Sequence, residues 1–138
     1  MGVLRKMSSV RTEWYQFRDA LEQGDFSAAS GLLQKNPGLI SERNSIGESI
    51  LHFFAVENNQ AAVEWLHNRG ADLNARNEFG APLLFEVALL GYRELLMWLV
   101  HHGADPKKKN ADGQSIDEYL AECDKTEMLD FVKKRIIL

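Results

Sequence analysis

One spacing constrains this chain more than any other feature. Gly47 recurs as Gly80 and again as Gly113, each 33 residues after the last. At the same offset Ala55 returns as Ala88, Leu66 as Leu99, and Gly70-Ala71-Asp72 as Gly103-Ala104-Asp105. A single pair of matching glycines would carry no weight, but several coincidences in one register require one unit built repeatedly. Self-similarity at a period of about 33 marks a solenoid of helical pairs, each unit burying its apolar face only against a neighbour. The expected fold is therefore all-α, an α-solenoid of stacked helix-turn-helix repeats joined by short hairpin-like loops.

The wording of the two clear repeats sharpens this. The first reads Gly47-Glu48-Ser49-Ile50-Leu51-His52 and closes on Gly70-Ala71-Asp72-Leu73-Asn74-Ala75. The second keeps Gly80, Leu84, Ala88, Gly91, Leu99 and Gly103-Ala104-Asp105. Over Asn44 to Lys109 the chain resembles the ankyrin repeat family, whose units open with a turn and T-P-L-H and end in G-A-D-V-N-A. Repeat two departs from that pattern, with Pro82 one position early and Phe85 where the histidine belongs. The hydrogen bonds that the resemblance implies for His52 are thus not expected at Phe85.

Taken in order, residues 1–12 read as a flexible, polar N-terminal leader, and a single repeat domain follows over 13–138. Its parts are an N-capping repeat (13–43), repeat one (44–76), repeat two (77–109) and a C-capping repeat (110–138). From Glu13 a helix is expected, with Trp14, Phe17 and Leu21 on one face. Gly24 ends it, and Asp25 caps a second helix over about Phe26 to Lys35, which turns Phe26, Ala29, Leu32 and Leu33 inward. Asn36-Pro37-Gly38 stops that helix, the glycine allowing a reversal. Repeat one is expected to hold helices near Ser49–Glu57 and Gln60–Asn68, with Leu51, Phe54, Ala55, Val63 and Leu66 inward. Repeat two has helices near Pro82–Leu90 and Tyr92–His102, with Leu84, Val87, Ala88, Leu96 and Leu99 inward. The last repeat keeps Leu120, Ala121, Leu129 and Val132 in register, and its acidic exposed positions suit a terminal cap with no neighbour on one side.

Composition excludes several classes of function. A net charge of −4 and a pI near 5.6 argue against nucleic-acid binding, which favours a basic face. No apolar run approaches the ~20 residues of a membrane span. The single cysteine, Cys123, permits no internal disulfide and suits a reducing compartment. Met1-Gly2 is not followed by the serine or threonine that myristoylation wants, because Lys6 stands there. A cytoplasmic chain, monomeric when alone, is the expectation.

Candidate chemistry is sparse. His101, His102 and Asp105 do not make a metal site, since adjacent helical side chains diverge by about 100°. Cys123 has no general base beside it. Lys107-Lys108-Lys109 reads as a solvated hairpin tip. Trp65 and Trp98 occupy equivalent places in successive second helices and read as packing. No nucleophile or base is held in a pocket with supporting groups, so no catalytic, cofactor or metal site is expected, and the chain is read as non-enzymatic.

Function is then expected where the repeat has residues to spare. The resemblance implies a concave binding face of hairpin tips and first helices. By register it comprises Ser45, Ile46, Glu48, Val56, Glu57, Arg69 and Arg76 in repeat one. Repeat two contributes Glu78, Phe79, Ala81, Leu89, Leu90, His102 and Lys109, and the last repeat adds Ala111, Asp112 and Gln114. Ile46, Val56, Phe79, Leu89 and Leu90 are apolar on a face meant for solvent, as in protein contacts, although Leu89 and Leu90 could equally pack between helices. Phe79 is the best anchor. The expected function is that of a non-enzymatic protein–protein interaction module, an adaptor or scaffold joining proteins being one such role. The alternative is a dedicated inhibitor, such as an immunity protein that neutralises a cognate toxin or enzyme.

Overall fold

The computed structural model describes the backbone of Gly2–Ile137 and the side chains from Thr12 to Ile137. Among the described residues there are eight α-helices and no strands: α1 (Gly2–Glu22), α2 (Phe26–Lys35), α3 (Ile50–Val56), α4 (Gln60–Asn68), α5 (Leu83–Leu89), α6 (Arg93–His101), α7 (Ile116–Glu122) and α8 (Thr126–Arg135). A 3-10 turn fills Pro37–Ile40, and isolated bridges Arg43–Ser49 and Arg76–Pro82 close two hairpin necks. Helix α1 begins at Gly2, well before the expected start at Glu13. No proline or glycine interrupts residues 3–12, and Leu4, Arg5, Lys6 and Met7 all favour helix.

The chain divides into two compact units. The first runs through Phe54 and includes Ala61–Ala71; the second is Ala55–Gln60 with Asp72 onward.

In the first unit, α1 buries the face set by its apolar spacing, with Trp14, Phe17 and Leu21 all at most 1% exposed. Phe17 meets Trp65 edge-on at 6.0 Å, and Phe26 stacks on the same ring at 5.9 Å. The Trp14 indole N–H donates to the Glu42 carbonyl at 3.2 Å. Asp25 caps α2 through the Ala28 N–H at 3.0 Å. Of the four residues expected inward on α2 only Ala29 is fully buried; Phe26, Leu32 and Leu33 are half-buried. Helix α2 stops at Lys35, as Asn36-Pro37-Gly38 leads one to expect, but Gly38 supplies no left-handed turn. That glycine lies in the 3-10 turn without a left-handed φ, and the turn drives Leu39 into the core at 0% exposure. His52 is buried, and its Nδ1 faces the Ser49 hydroxyl, which also accepts the His52 backbone N–H at 3.1 Å.

In the second unit, α5 and α6 pack together, as do α7 and α8. Leu84, Val87, Ala88, Leu96 and Leu99 are all buried, as the register predicts. Phe85, in the histidine's place, is also buried and lies 5.4 Å from the Tyr119 ring, so an apolar contact replaces the polar one. The Tyr92 hydroxyl donates to the Val56 carbonyl at 2.8 Å. Ser115 and Glu118 form a reciprocal capping box at the start of α7. The terminal repeat departs from its expected core. Leu120 and Val132 are buried and Leu129 is half-buried, but Ala121 is exposed; Met128 is buried instead. Lys133, Lys134 and Arg135 stand in the last turn of α8, where cations oppose the helix dipole. Ile136 and Ile137 are half-buried, and Leu138 lies outside the described residues.

The turn between paired helices needs one left-handed residue each time. It is Gly24, Asn58, Gly91 and Asp124, with φ of 73°, 57°, 81° and 57°.

Candidate functional site

Three hairpin tips share one construction. In each, an asparagine side-chain oxygen accepts the N–H groups two and four residues ahead. Asn44 takes those of Ile46 (3.1 Å) and Glu48 (3.0 Å). Asn77 takes those of Phe79 and Ala81, both at 2.9 Å. Asn110 takes those of Asp112 (3.1 Å) and Gln114 (2.9 Å). The asparagine amide N–H groups then donate to Glu48, Glu86 and Gln114 side chains respectively. A glycine at φ near 80° follows in each tip, Gly47, Gly80 or Gly113. The shape of a tip is therefore held from its base, and the side chains at its apex are not needed to maintain it.

A second pair of devices ties successive repeats within the second unit. Arg76 donates from Nη1 to the Gly80 carbonyl at 2.8 Å and to the Lys109 carbonyl at 2.6 Å. Asn74 donates to the Gly103 carbonyl at 3.1 Å and accepts the Asp105 N–H at 2.8 Å. A Cβ built on Gly80 would lie 2.9 Å from the Cβ of Ala111, so the second and third tips touch through these residues. Neither the asparagine locks nor the Arg76 and Asn74 ties was read from the sequence. The signal was present, since Asn44, Asn77 and Asn110 keep the same 33-residue spacing as the glycines.

On this frame the expected interface residues divide by what they do. Phe79 is 78% exposed at the apex of the second tip, and Ile46 is 67% exposed at the apex of the first. Ser45, Glu57, Glu78, Lys109, Ala111 and Asp112 are also exposed. Glu48, Arg76 and Gln114 have their polar ends engaged within the tips. Arg69 is exposed, with its guanidinium 4.9 Å from the Trp65 ring. Val56 and Ala81 are half-buried. Leu89 is half-buried and Leu90 is 46% exposed, so neither is a core residue; both line a hollow of about 520 Å³ with Arg93, Asp124, Lys125 and Met128. His102 is exposed but stacks on Trp98 at 4.0 Å, its Nδ1 donating to the Trp98 carbonyl at 2.7 Å, because a carbonyl can only accept.

Burial pushes the Tyr119 phenol above its ordinary value of 10.0, and Cys123, Glu122 and Glu86 push the same way. Among the described residues, no group of three His, Cys, Asp or Glu side chains is placed to hold a metal, and no helix is long and apolar enough to cross a membrane.

Paired helices, left-handed turns and repeated glycine tips define a class, the helical repeat arrays. The family model for ankyrin repeats (3 copies) matches residues 17–110, most of the chain, and the chain belongs to the ankyrin repeat family. Arrays of this family are protein-interaction modules and generally act by binding rather than by catalysis. Comparison with curated proteins gave no match.

Proposed function

We propose that this chain binds a partner protein through the tips and first-helix ends of its second unit, with Phe79 as the anchor. The observation carrying this reading is a phenyl ring 78% exposed on a tip whose backbone is held by Asn77 and not by the ring. A large apolar side chain in water has no folding role there, whereas buried aromatic residues dominate many interfaces. Leu90, 46% exposed at the end of α5, adds apolar area in the same repeat. The binding is non-enzymatic, and an interface of standard size would take about 800 Å² from this side.

The test compares capture of partners from native lysate by the wild-type chain and by Phe79→Ala. The variant should lose the captured protein, with affinity reduced by more than ~1 kcal/mol, while its thermal midpoint stays put. Equal capture by both would move the site elsewhere. A fall in the midpoint would make Phe79 a structural residue.

A further inference from the structure

The chemistry around Phe79 narrows the kind of partner, granted the reading that this surface binds protein. Glu78 precedes the ring, and Asp112 takes the ring's own place on the third tip, which touches the second through Gly80 and Ala111. Both carboxylates are exposed, and among the described residues neither has an ion-pair partner. Glu122 on α7 adds a third negative charge and is hydrogen-bonded to the Gln114 side chain of the third tip. The cations of these two hairpins are Arg76, held on two carbonyls, and Lys107, Lys108 and Lys109, which precede the third tip. The two touching tips thus carry an exposed ring and two exposed carboxylates that form no ion pair among the described residues.

We infer that this surface takes a protein segment in which an apolar side chain is flanked by arginine or lysine. The apolar residue covers Phe79, and its basic neighbours meet Glu78 and Asp112. An acidic segment would bring like charges together at both tips. An arginine gains further from the ring, since a guanidinium is attracted to an aromatic face.

The experiment selects peptides from a random display library on the immobilised full-length chain. The recovered peptides are then made with a fluorescein label and titrated by anisotropy. Selection should return an apolar residue flanked by Arg or Lys. Affinity should fall at least about tenfold for Phe79→Ala and for Glu78→Lys with Asp112→Lys, and should weaken between about 0.05 and about 0.5 M salt. Circular dichroism checks each variant's fold, and Glu78→Gln with Asp112→Asn replaces the reversal should that one not fold. Neutral or acidic peptides that still need Phe79 would overturn the charge inference and leave the binding surface standing. Peptides that bind every variant like wild type would overturn both. A selection with no enrichment over a blank surface would overturn the inference of a linear basic segment.

Discussion

The Oδ1 of Asn74 accepts the backbone N–H of Asp105 at 2.8 Å, across 31 residues of chain. The same amide donates to the Gly103 carbonyl at 3.1 Å, so one side chain links the ends of two successive repeats. Asn74→Ala removes both bonds and should cost about 1–2 kcal/mol in urea denaturation. Asn74→Asp keeps the acceptor, loses the donor and should fall between. An alanine variant as stable as wild type would show that water replaces this tie at no cost.

Gly80 and Gly113 both sit at left-handed φ, 80° and 78°, but only Gly80 has a neighbour where a Cβ would go. Gly113→Ala should lose about 1 kcal/mol from backbone strain alone. Gly80→Ala should lose at least about 1 kcal/mol more, because its methyl meets Ala111. Adding Ala111→Gly to Gly80→Ala should recover that excess. If the two single variants are equally stable, the tips are not in contact.

Asp124 occupies a left-handed position, φ 57°, that Gly24 and Gly91 fill in other repeats. Asp124→Gly relieves this strain and should raise stability by up to about 1 kcal/mol, or about 3 °C in the thermal midpoint. A lower midpoint would mean that the aspartate side chain stabilises its turn by more than the strain costs.

Tyr119 makes stability depend on alkaline pH. Its folded phenol ionises above 10.0, chiefly because burial disfavours the charged form. Well below 10.0 both folded and unfolded states are neutral, and the contribution is fully present. As pH rises further the unfolded chain ionises first, so stability is lost until the folded phenol also ionises. The urea midpoint should drop between pH 9 and pH 11, and less steeply in Tyr119→Phe. Identical slopes would remove Tyr119 as the cause.

What the sequence disclosed depended on whether a residue's role repeats. Leu66, Leu99, Ala55 and Ala88 recur every 33 residues and are all fully buried. Leu39 escaped notice because a 3-10 turn after Pro37 has no apolar period of its own, and proximity to glycine made it look like loop. Ala121 kept the register yet is exposed, since register records the neighbour a repeat usually has, and among the described residues none lies against it. Asn58 and Asp124 hid behind their identity, because asparagine and aspartate reach the left-handed region less often than glycine. The exposed apex residues were legible through the resemblance. The bonds holding them were not, because an amide accepting two backbone N–H groups leaves only an asparagine in the text.

Those amides matter for charge as well as for shape. Asn44 and Asn77 each direct an NH₂ at a glutamate oxygen, 3.0 Å and 2.7 Å away. Deamidation would leave the oxygen that accepts the backbone bonds but set carboxylate against carboxylate. The hairpin would keep its two backbone bonds but gain negative charge beneath its apex, with repulsion where a hydrogen bond stood.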